Sequence, residues 1–139
     1  MAAYFCQGSY AAHVVEMTIS DGKPFISRVC CAIDCGIVVN PDQGASQAES
    51  CIVDGIGIAM YSNLSFTDGV PDQDNFTTYN LIWNGAAPKS IDVHYVKSEI
   101  APSGVGEPPY PPIIGALANA LYKATGKRYY NQPFVNDMK

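Results

Sequence analysis

One carboxylate in the sequence is placed where it could act as a general base. Glu107 follows Gly104-Val105-Gly106, whose glycines allow unusual backbone angles and let a ligand approach main-chain amides closely. Pro108 restricts Glu107 to extended conformations, and a helix that starts nearby would offer free N–H groups that favour anions. The local pattern alone favours a solvated loop glutamate over a catalytic one, because most polar loop residues are simply exposed.

Other polar residues give weaker indications of chemistry. Gln47 lies near the start of a predicted helix, where its amide could donate to a cofactor oxygen or face solvent. His13 and His94 occur in strand patterns without a paired acid, serine or cysteine, which favours core or edge histidines. The lone Gly-x-Gly at 104–106 is not a dinucleotide-binding fingerprint.

The cysteines favour neither a disulfide framework nor a metal site. Their number is odd, no Cys-x-x-Cys pair occurs, and they are Cys6, Cys30, Cys31, Cys35 and Cys51. A reducing compartment is the simpler inference. We therefore predict a cytoplasmic location, with the periplasm as the alternative if another segment or a partner directs export.

Composition indicates one globular domain and excludes two classes of partner. The chain has 139 residues, of which 47% are hydrophobic, and this length supports one core. Its net charge is −5, and eight scattered Lys and Arg residues do not make the basic surface that nucleic acid binding needs. No apolar run approaches the roughly 18 residues of a membrane-spanning helix. We expect no nucleic acid partner and no membrane insertion.

Three segments alternate apolar and polar residues with the period of a β-strand, namely 11–20, 25–34 and 91–96. Asp21-Gly22 is a typical turn for a hairpin between the first two. The apolar face of the second is predicted to carry Phe25, Val29, Cys31 and Ile33.

A first helix is predicted from Pro41 to about Tyr61. Asn40 can cap it, and proline suits its first position. The predicted buried face consists mostly of small residues. Gly55 and Gly57 lower helix stability, so we expect another part of the protein to approach them closely.

A second helix is predicted to start at Pro111 or Pro112 and to end at Gly126, a natural C-terminal cap. Residues 129–139 are predicted to be extended and partly frayed. These elements predict an α+β fold, in which a small antiparallel or mixed sheet has two main helices packed against it.

Several segments, taken in order, resemble one enzyme family. Residues 34–41 are similar to its Asp-x-Gly-x-x-x-Asn-Pro motif, and 46–57 to its Gly-Gln-x-Glu-Gly…Gln-Gly-x-Gly helix. Residues 75–79 are similar to its Asn-Phe-x-x-Tyr motif. Its closing segment is matched by 104–108 together with 111–112, 118–120, 124–128 and 133–134. The series spans 8–134 and resembles the molybdenum hydroxylases, which include xanthine dehydrogenase and aldehyde oxidase. The subgroup is the large molybdopterin-binding subunit of the isoquinoline 1-oxidoreductase and aldehyde dehydrogenase type.

The resemblance implies roles for four residues. Glu107 would be the active-site base, taking a proton from water or hydroxide on molybdenum. The reaction would oxidise an N-heteroaromatic or aldehyde substrate with water as the oxygen source. Backbone groups of Val105 and Gly106 would lie against the ligands of the metal, and Gln47 would contact the pterin. No protein side chain would bind the metal itself.

The resemblance also implies a cofactor and partners. The cofactor would be molybdenum-molybdopterin, in its cytosine dinucleotide form. The partners would be the remainder of the molybdopterin subunit, an iron–sulfur subunit and a small-molecule substrate.

The sequence departs from the family pattern near Gln47 and in length. Ser46 and Ser50 stand where the family has glycine, and Asp54 where glutamine is common, so the approach to the cofactor could be narrower. The family's subunit is several times longer, so residues 1–139 are predicted to be its C-terminal domain. Alone, this chain is too small to enclose a pterin dinucleotide, and we expect it neither to retain cofactor nor to turn over substrate.

An alternative function belongs to a different class. The chain could be a non-catalytic packing or interaction domain. The glycine-rich face of its first helix would then dock a partner, and the Gly/Pro loop would have a defined conformation but no catalytic role.

Overall fold

The computed structural model of the chain describes residues 1–138. Its strands are β1 (Ala2–Cys6), β2 (Ser9–Ser20), β3 (Lys23–Asp34), β4 (Phe66–Thr67), β5 (Val70–Pro71) and β6 (Ser90–Tyr95). Its α-helices are α1 (Pro41–Met60) and α2 (Tyr110–Thr125), and two 3-10 helices cover Asn84–Ala86 and Phe134–Met138. The predicted α+β class is confirmed. No helix within residues 1–138 is long and apolar enough to cross a membrane.

The main sheet is mixed, with the strand order β1-β2-β3-β6. The first three strands are antiparallel neighbours, whereas β6 runs parallel to β3. Parallel neighbours need a long crossover connection, and α1 lies within it. The strands β4 and β5 form a separate small hairpin. The core lies between the sheet and the two helices, and its fully buried members include Val29, Ile33, Ile52, Ile113 and Leu117.

A β-bulge changes which face of β3 is buried. The register shifts between Glu16 and Met17 of β2, so Ser27 has no partner, and its hydroxyl donates to the Glu16 carbonyl at 3.1 Å. One extra residue reverses the alternation of side chains. Ile26 is therefore in the core at 5% exposure, and Phe25 is 45% exposed, so the prediction for Phe25 is wrong. The rest of the predicted face is buried as expected: Val29, Cys31 and Ile33.

The ends of the helices follow the predicted capping chemistry. Asn40 Oδ1 accepts a hydrogen bond from the backbone N–H of Gln43 at 3.1 Å, which starts α1 at Pro41. Gly126 ends α2 in the left-handed region with a φ of 76°. The second helix begins at Tyr110, slightly before the predicted prolines.

Two of the glycines of α1, Gly55 and Gly57, permit close packing, as expected. A Cβ at Gly55 would lie 2.4 Å from Cγ2 of Ile113, and a Cβ at Gly57 would lie 3.0 Å from Cγ2 of Ile82. Gly55 thereby lets α1 pack directly on the first turn of α2, which follows the loop that carries Glu107.

Residues 129–138 of the C-terminal segment are not frayed, and residue 139 of the predicted tail lies outside the described residues. The rings of Tyr129 and Phe134 are 7% and 3% exposed, and their centroids lie 5.9 Å apart. Phe134 also starts a short 3-10 helix. The prediction of a partly frayed tail is wrong for residues 129–138, because these aromatic side chains are buried in the core.

Candidate functional site

The loop that carries Glu107 is tied to the segment after β3 at its beginning. The backbone N–H of Ile37 donates to the Ile100 carbonyl at 3.0 Å, and the N–H of Ser103 donates to the Cys35 carbonyl at 2.9 Å. Both bonds join the loop to the stretch that leads from the sheet into α1.

Two carbonyls of the glycine-rich segment are bonded toward the body of the protein. The Gly104 carbonyl accepts a hydrogen bond from the hydroxyl of Ser9 at 2.6 Å. The Gly106 carbonyl accepts from Gln47 Nε2 at 3.1 Å and from the Cys51 thiol at 3.0 Å. Burial raises the pKa of the Cys51 thiol, which keeps it protonated as a donor.

These bonds determine where the neighbouring amides point. In a trans peptide the N–H is directed opposite to the C=O of the same plane, and among residues 1–138 only the Gln132–Pro133 peptide is cis. The N–H of Val105 therefore points away from Ser9, and the N–H of Glu107 points away from α1. Neither N–H has a hydrogen-bond partner in the part of the chain that the structure describes. Gly104 has a φ of 129°, a conformation that favours glycine.

Glu107 is exposed, and one hydrogen bond orients its side chain. Its Oε2 accepts from Gln7 Nε2 at 2.8 Å. Its backbone carbonyl accepts from the N–H of Tyr110 at 2.8 Å, which joins it to the start of α2. A cavity of about 290 Å³ lies beside Gly104 and Val105, and Glu107 is not among the residues that line it.

His13 supports the loop from inside the core. Its Nε2 lies 2.7 Å from the Pro109 carbonyl oxygen. A carbonyl only accepts, so Nε2 carries the proton. The buried Nδ1 has no partner within residues 1–138. Burial lowers the pKa of His13, although the bond to Pro109 opposes this shift. The interpretation of His13 as a core histidine is confirmed, and His94 is exposed on β6.

The polar face of α1 near the loop is open. Gln47, Ser46, Ser50 and Asp54 are all exposed. The Ser46 hydroxyl donates to the Asp42 carbonyl at 3.1 Å, so it is directed along its own helix.

The polar groups around Gly104 and Gly106 fit a large cofactor whose metal is bound by the cofactor itself and not by protein side chains. No cluster of three or more His, Cys, Asp or Glu side chains that could hold a metal occurs in residues 1–138. A Cβ at Gly104 or Gly106 would meet no heavy atom within 4 Å, so the space above the segment is open. Outward N–H groups suit anionic oxygen or sulfur atoms, and an exposed carboxylate suits proton transfer.

The structure brings the predicted site residues together and adds others. Gln47, Val105, Gly106 and Glu107 lie in one region, where the Gly106 carbonyl accepts hydrogen bonds from Gln47 and Cys51 of α1. Sequence reasoning missed four supporting residues: Gln7, Ser9, His13 and Cys51. Of these four, only Gln7 could have been noticed from the sequence, because a Gln-Gly pair is unusual in a hairpin turn, where Asn-Gly or Asp-Gly is preferred.

Residues 1–88 match the family described as the molybdopterin cofactor-binding domain. The match includes Gln47 and ends before the loop of Glu107.

Two curated relatives are similar over most of this chain. The isoquinoline 1-oxidoreductase subunit beta of Brevundimonas diminuta is 31% identical over 86% of the chain. A protein of Gluconacetobacter polyoxogenes, named a membrane-bound aldehyde dehydrogenase (pyrroloquinoline-quinone), is 28% identical over 86%. This chain spans only 15% of the length of each.

Solved structures share the fold. The aldehyde oxidoreductase of Desulfovibrio gigas matches 90% of this chain with a TM-score of 0.76 and 23% identity, and 14% of its own chain is covered. This likeness is one of fold.

Proposed function

We propose, because the chain belongs to the molybdopterin cofactor-binding domain family, that residues 1–139 form the C-terminal domain of a larger subunit and complete its molybdenum site. The chain corresponds to part of a molybdenum-binding subunit of the xanthine oxidase family. The proposed activity of the complete subunit is oxidation of an N-heteroaromatic or aldehyde substrate, with water as the oxygen source.

One observation supports this function above the others. The carbonyls of Gly104 and Gly106 are bonded toward the body of the protein, and the N–H groups of Val105 and Glu107 have no hydrogen-bond partner within residues 1–138, in the same short exposed segment that carries the Glu107 carboxylate. The segment therefore offers a ligand two N–H donors and one exposed carboxylate within three consecutive residues. Groups that are held in place before the reaction cost no reorganisation when it occurs.

Each residue then has a defined task. When bound, a molybdopterin would supply the redox metal at which the substrate is oxidised. Glu107 would take the proton with Oε1, since Oε2 is engaged by Gln7. The N–H of Val105 would donate to the cofactor's ligands. Gln47 would keep one N–H on the Gly106 carbonyl and present the rest of its amide to the pterin.

The cofactor and the partners complete the proposal. The proposed cofactor is molybdenum-molybdopterin. Its cytosine dinucleotide form is proposed because the sequence resembles the isoquinoline 1-oxidoreductase subgroup. The partners are the remainder of the subunit, an iron–sulfur subunit that removes electrons, and a small-molecule substrate.

The structure weighs against the non-catalytic alternative. That alternative assigned the glycine-rich face of α1 to an external partner. Ile113 and Ile82 of this chain already occupy the space over Gly55 and Gly57. A partner would have to displace part of the core to reach these glycines.

The test is Glu107→Gln in the complete subunit, assembled with its partners. Loss of general-base catalysis should lower kcat by about 10²- to 10⁴-fold, while elemental analysis finds unchanged molybdenum. Glu99→Gln is the matched control, because Glu99 is also exposed and lies outside the glycine-rich segment. Normal turnover of Glu107→Gln would end the proposal.

The isolated chain gives a second test. Purified alone, it should contain no molybdenum and should not oxidise the substrate. The name of the Gluconacetobacter relative includes a different cofactor, pyrroloquinoline-quinone. Elemental analysis for molybdenum and an assay for the quinone, both on the complete subunit, distinguish the two cofactors. A quinone without molybdenum would overturn the proposed cofactor.

A further inference from the structure

Three hairpins of this chain use the same tight turn, and one of them has an unusual residue. The two-residue loops are Gln7-Gly8, Asp21-Gly22 and Asp68-Gly69, with first φ angles of 51°, 52° and 51° and second φ angles of 82°, 72° and 81°. Turns in which both φ angles are positive strongly prefer Asn-Gly or Asp-Gly. Asp tolerates the left-handed region better than Gln does. The turn of the first hairpin is therefore less stable than the turns of the other two.

The unusual residue is also the one that contacts the loop of Glu107. Gln7 Nε2 donates to Glu107 Oε2 at 2.8 Å, across 100 residues of sequence. A Cβ at Gly8 would lie 3.2 Å from Cβ of Ser103, so the turn packs against the loop. By contrast, a Cβ at Gly22 or Gly69 would meet nothing within 4 Å.

We propose that Gln7 is a positioning residue for the Glu107 carboxylate, an inference that rests on the proposed function. Its amide holds Oε2 and leaves Oε1 to accept a proton. Asp at position 7 would suit the turn but would place a second negative charge against Glu107. Asn would also suit the turn, but its side chain is one methylene shorter. Gln is thus the amide that reaches the carboxylate without adding charge.

Two substitutions separate positioning from a structural role. Gln7→Asn should improve the turn and raise the Tm of this chain by about 1–4 °C. In the complete subunit it should lower kcat about tenfold with KM nearly unchanged, because the carboxylate loses its orientation. Gln7→Met keeps the length of the side chain without its donor and should lower kcat similarly.

Asp21→Asn is the matched control, because it occupies the same position of the next hairpin and does not contact the loop. It should leave kcat unchanged. The inference fails if both Gln7 variants keep kcat within twofold of the original chain. It also fails if Tm and kcat fall together in Gln7→Asn, since that would indicate a structural role.

A measurement without cofactor tests the contact itself. In the NMR spectrum of this chain, the side-chain amide protons of Gln7 should lie downfield and should return to ordinary positions in Glu107→Ala. Unchanged signals would overturn the inference. If Glu107→Gln keeps its turnover, the proposed function fails. If Glu107→Gln loses turnover while both Gln7 variants keep it, only the present inference fails.

Discussion

The imidazole of His13 and the carbonyl of Pro109 are 2.7 Å apart, and their hydrogen bond joins the middle of β2 to the residue before α2. The two residues are separated by 96 positions in sequence. Because Pro109 is two residues after Glu107, this buried hydrogen bond limits how far Glu107, the proposed general base, can move.

The first prediction concerns pH. Burial lowers the pKa of His13 below its ordinary 6.5, so the unfolded chain binds this proton at a pH where the folded chain does not. Stability from neutral His13 is complete above pH 6.5 and is lost as the pH falls below 6.5 toward the lower folded pKa. Urea unfolding should show a decline of up to about 1.4 kcal/mol per pH unit in that window.

Two variants isolate the contribution of His13. In His13→Gln the decline between pH 6.5 and 5.5 should be smaller than in the original chain. His94→Gln removes the other histidine without touching Pro109, so the decline due to His13 should survive. An identical slope in the original chain and in His13→Gln would contradict this account.

The second prediction concerns the packing of the two helices. Gly55→Ala would place a Cβ 2.4 Å from Cγ2 of Ile113. The resulting overpacking should reduce the free energy of unfolding by about 1–3 kcal/mol, even though Ala is favoured over Gly in helices by up to about 1 kcal/mol. Ser50→Ala, at an exposed position of α1, should leave stability equal or slightly higher. Unchanged or increased stability of Gly55→Ala in urea would show that the helices are not in close contact there.

The third prediction concerns thiol reactivity. Burial raises the pKa of Cys31 to about 12 and also raises the pKa of Cys35 and Cys51. Since the thiolate is the reactive form, these three should resist iodoacetamide at pH 8. Cys6 and Cys30 are partly exposed and should be labelled first, as measured by peptide mass spectrometry. In urea all five should react, and labelling of folded Cys31 as fast as Cys6 would contradict the burial described here.

The sequence predicts the elements whose signals are local. The caps at Asn40 and Gly126 and the turn at Asp21-Gly22 depend on neighbouring residues, and all three are found in the structure. Strand β1 was not predicted, because Ala2–Cys6 lacks alternation and pairs instead with β2. The bulge at Ser27 was not predicted either, because the register between two strands depends on both strands and not on the sequence of one.

The site could be predicted only in part. Glu107 was singled out by its Gly/Pro loop, but its proposed role came from a family resemblance. Its contact with Gln7 spans 100 residues, and no periodicity or capping rule connects such positions. The inward bonding of the Gly106 carbonyl likewise needs α1 and the loop to be folded together.

The most direct test of the central claim is a structure of the complete subunit with its pterin cofactor bound. The account predicts that the Glu107 carboxylate faces the metal, that the N–H of Val105 points toward the cofactor, and that Gln7 still donates to Glu107. A bound structure in which the Glu107 carboxylate faces away from the metal would contradict it.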